Sequence, residues 1–118
     1  MDLRDYKAAI KESIDYLKSE DKNWDWKVKS VTKDKILIRW GYLDYIGQKG
    51  DFEIRLMVDG PDVSLIGVLD NEYSWADDDD CADLFCWIGD KHWHDTPSLE
   101  TGVRMMVCRM GHMAHSRY

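Results

Sequence analysis

The chain lacks the short motifs that would assign it to a chemical class. It has no glycine-rich phosphate loop, no Gly-x-Ser-x-Gly elbow and no His-Glu-x-x-His pair. These absences exclude the classes of nucleotide-binding protein, hydrolase and zinc protease that depend on those motifs. Its N-terminus has no apolar signal region, and no apolar run approaches the ~18 residues of a membrane-crossing helix. We therefore expect a cytoplasmic, non-enzymatic protein that has no cofactor and does not bind membranes.

Basic residues are scarce in one part of the chain. Residues 51–100 contain two Lys+Arg against fourteen Asp+Glu, a net charge of −12, whereas residues 1–50 carry +2 and residues 101–118 carry +3. Such a segment repels nucleic acid and attracts a basic protein surface. Acidic proteins are also common simply because they are soluble. The charge pattern therefore allows a binding role without requiring one.

The periodicity of apolar residues predicts a single α+β domain over residues 1–118. Spacings of three and four indicate an amphipathic helix at residues 2–21. Alternation with a period of two then indicates four strands joined by short turns, at about residues 24–28, 36–46, 52–58 and 63–69. Because the last of these is apolar on both faces, we expect an inner strand there. The four strands should form an antiparallel meander.

A helical period returns in the remainder of the chain. We expect one helix from Asp77 to about Asp90, and a second that starts near Thr96-Pro97 and ends at about Ala114. The core stripe of the second is Leu99, Val103, Met106, Val107 and Met110. Both helices, with the N-terminal one, should pack on one face of the sheet, because nothing else can cover it.

The acidic run at residues 77–80 is the first candidate site. Acidic residues in the first turn of a helix are stabilised by its dipole, but four in succession repel one another and exceed what capping requires. The spacing does not match a calcium loop. The alternatives are a solvated helix start, a surface that binds a partner and a metal site. The residues that we assign to partner binding are Glu72, Trp75, Asp77, Asp78, Asp79, Asp80 and Asp83.

All histidines and cysteines of the chain lie between residues 81 and 115. The spacing of Cys108, His112 and His115 places them on one helix face, and His92 and His94 precede that helix, so these five residues are candidate zinc ligands. There is no Cys-x2-Cys pair, and an isolated cysteine usually behaves as a small apolar residue. We therefore predict no metal, with these residues as the candidates if one is bound.

A second stripe on the last helix consists of Met105, Cys108, His112 and His115. A helix with two largely apolar stripes is either buried on two sides or meets a partner. The sequence allows two interpretations of this stripe: burial within the domain, or a homodimer formed through this helix.

The leading functional hypothesis is a small acidic binding protein that inhibits or sequesters a protein with a basic surface, such as a nucleic-acid-binding protein. Phage anti-defence inhibitors, immunity proteins and nucleic-acid mimics have this size and charge. One alternative is an acidic chaperone-like or dimeric accessory domain. Another is a zinc-binding domain that uses the C-terminal Cys and His residues.

Overall fold

A computed structural model describes residues 1–42, 49–71, 82–88 and 98–117. Within these ranges, two helices and five strands follow a short 3-10 turn at Leu3–Tyr6. In chain order they are α1 (Lys7–Glu20), β1 (Trp24–Val31), β2 (Lys35–Tyr42), β3 (Lys49–Asp59), β4 (Asp62–Asn71), β5 (Ala82–Ile88) and α2 (Leu99–Arg117). The predicted α+β class is confirmed.

The strands form one antiparallel sheet in the order β1-β2-β3-β4-β5, so each strand pairs with its neighbour in sequence. The four-stranded meander that the alternation predicts is therefore present. Gly60 and Pro61 form the two-residue connection between β3 and β4, where Asp59 pairs with Asp62. Gly60 has a φ of +58° there, a conformation that residues with a Cβ adopt reluctantly.

One face of the sheet and both helices enclose the core. Each strand turns alternate side chains toward the helices, as a pleated sheet requires. The largest of the fully buried side chains are those of Trp24, Trp40, Phe52, Leu3, Ile10, Ile36, Ile38, Ile54, Leu65, Leu69, Met106 and Met110. The predicted stripe of α2 is buried along its whole length. α1 lies over β1, while α2 crosses β3, β4 and β5.

The prediction of two C-terminal helices is wrong, because the chain at residues 82–88 is strand β5. Its sequence suits both structures: Leu84, Phe85 and Ile88 match a helical face, whereas Leu84, Cys86 and Ile88 alternate as in a strand. β5 pairs with β4 from Val63↔Ile88 to Leu69↔Ala82. The strand conformation allows this segment to form the ladder with β4 and to pack against α2. Residues 77–81 and 89–97 lie outside the described part of the chain.

The two helices meet at closely packed positions. A Cβ on Gly111 of α2 would lie 2.5 Å from Leu17 Cδ1 of α1, so glycine permits this approach. Arg104 of α2 pairs with Glu12 of α1 and with Glu100 on its own helix. α2 begins at Leu99, and the Ser98 hydroxyl accepts a hydrogen bond from Thr101 N (3.2 Å). The helix therefore starts slightly later than Thr96-Pro97 suggested.

Neither helix in the described ranges combines the length and the apolar character that crossing a bilayer demands.

Candidate functional site

A groove of about 530 Å3 runs between α1 and β1 at one end of the sheet. One wall is the face of α1 that carries Lys7, Lys11 and Lys18, and the other wall is formed by residues 26–31 of β1. β1 is the first strand in the sheet order, so it lies at the edge. The groove is therefore formed by one face of a helix and the edge strand of the sheet.

Five lysines surround the groove, all with exposed side chains: Lys7, Lys11, Lys18, Lys27 and Lys29. Asp15 is the one acidic residue in the lining, and it pairs with the Lys11 ammonium group at 3.1 Å. The local charge is thus strongly positive in a protein whose net charge is −7. Such a surface attracts carboxylate or phosphate groups.

Apolar side chains form the floor of the groove. Ile10 and Ile14 come from α1, and Val28 and Val31 come from β1. Val28 is 37% exposed although its cross-strand partner Ile38 is fully buried. The sheet face that α1 covers elsewhere is therefore partly open to solvent at this edge. A ligand that enters here can bury apolar surface as well as neutralise charge.

Trp26 separates the groove from a smaller cavity of about 140 Å3 behind it. Its indole is 3% exposed, and its Nε1–H group has no hydrogen-bond acceptor among the described residues. The ring packs against Trp24 at 5.5 Å between centroids and against Phe52 at 6.4 Å. Trp26 therefore anchors the base of the groove on the aromatic part of the core.

The sequence contained a signal for this groove that charge totals conceal. Lys7, Lys11 and Lys18 recur at spacings of four and seven, which places them on one side of a helix. Lys27 and Lys29 alternate with the apolar residues of the following strand. Either pattern alone is typical of a solvated face. Only the packing of α1 against β1 places all five lysines around one groove.

The predicted partner-binding residues fall almost wholly outside the described chain. Outside the described ranges lie Glu72, Trp75 and the acidic run Asp77, Asp78, Asp79 and Asp80. Asp83 belongs to strand β5, where it pairs with Val68 in the backbone register. Asp83 therefore lies in a strand, not in the helix that was predicted from Asp77 to about Asp90.

Among the metal candidates, Cys108, His112 and His115 all lie along the side of α2 that meets α1, as their spacing predicts. They do not converge on one point. His112 Nε2 lies 2.7 Å from Glu20 Oε1, His115 Nε2 lies 2.8 Å from Asp21 Oδ2, and Cys108 contacts Ser13. Within residues 1–42, 49–71, 82–88 and 98–117, no three potential ligands form a metal site. His92 and His94 lie outside these ranges.

The two histidine–carboxylate pairs line the small cavity and join the ends of the helices. Glu20 closes α1 and Asp21 follows it, so both pairs attach the end of α1 to α2. The His115 ring also packs on Trp24, with centroids 4.6 Å apart. Through these contacts, the second stripe of α2 packs against α1 and Trp24 of the same chain.

Cys108 is a thiol, and its surroundings do not favour use as a nucleophile. Partial burial raises the pKa of Cys108 above the ordinary value of a thiol, and this effect outweighs the hydrogen bond with Ser13, which acts in the opposite direction. A nucleophilic cysteine needs the opposite, a local field that stabilises the thiolate.

Replacing Asp21 with asparagine is expected to reduce stability at neutral pH and to flatten the acid side of the pH–stability curve. The hydrogen bond with His115 lowers the pKa of Asp21, and a second bond from the Asn23 amide acts in the same direction. A depressed carboxyl pKa stabilises the fold above the unfolded value of 3.8. This contribution is lost as the pH falls through the lower folded value.

Urea unfolding of the wild type and the Asp21→Asn variant at pH 7 and near pH 3 tests this expectation. The difference in unfolding free energy between the two proteins should shrink at the lower pH. Asp25→Asn, at an exposed position on β1, is the matched control. A difference for Asp21→Asn that is the same at both pH values would contradict the assignment.

Comparison with known proteins gave no match to a protein-family model, a curated protein or a solved structure.

Proposed function

We propose that this protein is a non-enzymatic interaction module that binds an acidic segment of another protein in the groove between α1 and β1. The observation that carries the proposal is the combination of five exposed lysines with a partly open apolar floor. Carboxylates of the partner neutralise the lysines, while its apolar side chains cover Ile10, Ile14 and Val28. Neither the lysines nor the apolar floor alone would select an acidic polypeptide.

The composition of the groove favours a polypeptide over a nucleic acid. Single-stranded nucleic acids bind on exposed aromatic rings and arginines, whereas Trp26 is 97% covered and the cations of the groove are all lysines. The net charge of −12 over residues 51–100 also repels a long polyanion. A short acidic segment meets the local lysines without extending across the rest of the surface.

The proposal is tested with a fluorescein-labelled Glu-Val peptide of about eight residues, the length of one strand, in which pairs of Glu alternate with pairs of Val, so that each face of the extended peptide carries both residue types. Fluorescence anisotropy should show saturable binding to the wild-type protein. The double variant Lys7→Glu with Lys27→Glu, one change on each wall, should weaken binding by about tenfold or more. Two lost attractions and two new repulsions of a few tenths of a kcal/mol each have this combined effect.

Lys22→Glu with Lys33→Glu is the matched control, because it changes the net charge equally at exposed positions outside the groove lining. It should change affinity by less than about threefold. Equal weakening by both double variants would overturn the proposal. So would tighter binding of an oligothymidylate of similar length, or a dimer of the chain that Lys7→Glu with Lys27→Glu dissociates.

A second candidate is the one that the acidic composition suggests, in which the segment 51–100 docks on a basic partner and inhibits or sequesters it. Fourteen acidic residues against two basic ones favour it. The two candidates use different surfaces. Asn replacements at residues 77–80 should weaken capture of a basic partner by the second mode and leave binding of the Glu-Val peptide unchanged.

A further inference from the structure

The outer edge of strand β1 is the feature that determines how a partner binds. β1 pairs with β2 on one side, and on its other side no strand from the described ranges pairs with it. Successive backbone groups of a strand face alternate sides. On either side of the register shift between Val28 and Ser30, alternate residues of 26–31 therefore direct their N–H and C=O groups away from β2, at the wall of the groove.

This edge carries features that usually prevent strands from pairing indiscriminately. The register between β1 and β2 shifts between Val28 and Ser30, so Lys29 is an extra residue in a bulge. Lys27 and Lys29 are both exposed. Edge lysines and bulges disfavour the addition of neutral or apolar strands, because pairing would bury or crowd uncompensated charge. The same lysines become favourable partners when the added strand is acidic.

The α1 wall provides the second half of the recognition. A strand laid along residues 26–31 would run beside α1 and over the floor formed by Ile10, Ile14 and Val28. Its side chains alternate between the two faces of the sheet. Those on the helix side meet the apolar floor and the lysines of α1, and those on the other side lie near Lys27 and Lys29.

We infer that the acidic partner binds in an extended conformation and adds to β1 as a sixth strand. This inference rests on the proposed function and specifies its geometry. Main-chain hydrogen bonds to β1 give affinity, while the alternation of apolar and acidic side chains gives specificity, as in other cases of strand addition. A helical or irregular acidic segment would neutralise the lysines but would not form main-chain hydrogen bonds with β1.

The test uses two versions of the Glu-Val peptide in which alternate backbone amides are N-methylated, one set in each version. In a strand added at an edge, one set of amides faces β1 and the other faces solvent. We expect one version to lose affinity by about tenfold or more and the other to bind within about threefold of the parent peptide. A peptide with Thr in place of each Glu, which lacks the carboxylates, should not bind.

Amide hydrogen exchange of the full-length protein provides a second readout. Saturation with the parent peptide should slow exchange of those amides in residues 26–31 that face away from β2 by about tenfold or more. Equal effects of the two methylated peptides, with unchanged exchange in β1, would overturn strand addition. If the parent peptide still binds in a lysine-dependent manner in that case, the proposed function survives. Failure of the parent peptide to bind overturns both.

Discussion

Replacing Trp40 with alanine is expected to lower the free energy of unfolding by about 3–5 kcal/mol, the range for truncation of a large buried aromatic residue. Trp40 is fully buried in β2. Its ring stacks on Trp24 with centroids 5.1 Å apart and an interplanar angle of 18°. Its cross-strand neighbours are Trp26 and Gly50, and Gly50 has no side chain that could fill the space left by the missing ring.

The measurement is urea unfolding followed by far-UV circular dichroism. Since domains of this kind are stable by roughly 5–15 kcal/mol, Trp40→Ala could abolish folding, so Trp40→Phe is the second variant and should lose less. Met57→Ala is the control on the opposite face of the sheet, where the side chain is 47% exposed. It should change stability by no more than about 0.5 kcal/mol. A Trp40→Ala loss that small would contradict the central position of this residue in the core.

Replacing Gly67 with valine is expected to destabilise the protein by about 1–3 kcal/mol, the usual range for overpacking. Valine suits a strand by intrinsic preference, so the loss must come from packing. A Cβ on Gly67 would lie 2.5 Å from Met110 Sδ, 2.9 Å from Met110 Cγ and 3.1 Å from Met106 Cε. α2 therefore lies directly against the backbone of β4 at this point.

A double-mutant cycle with Met110→Ala tests this explanation. Met110→Ala alone should cost about 2–5 kcal/mol, because Met110 is fully buried. In the double variant the valine occupies space that the methionine leaves. The combined loss should therefore fall short of the sum by about 1 kcal/mol or more. Additive losses measured by urea unfolding would show that Gly67 and Met110 do not compete for the same space.

The segment 82–88 shows where sequence periodicity reaches its limit. Its apolar residues fit a period of two and a period of 3.6 about equally well, because a window of seven residues contains only two helical turns. For the longer segments β3 and α2, the period is unambiguous and the prediction is confirmed. The strand at β5 is selected by its pairing with β4 and its contacts with α2, and no local pattern contains that information.

The groove shows the same limit at the level of function. Charge totals drew attention to residues 51–100, because a sum along the sequence registers clusters of consecutive like charges. The five groove lysines come from two elements separated by a turn and are mixed with acidic residues, so residues 1–50 sum to only +2. Their convergence depends on the angle at which α1 lies across β1.

By itself, the sequence determined the α+β class, the first and last helices, the four-stranded meander and the buried stripe of α2. These features follow from periodicity, which is a local property of the chain. Only the tertiary structure decided that a fifth strand pairs with β4 and that neighbouring side chains pack closely against Gly67 and Gly111. It alone also decided that lysines of α1 and β1 surround one groove. The physical reason is that strand pairing, close packing and charge convergence depend on residues that are distant in the sequence.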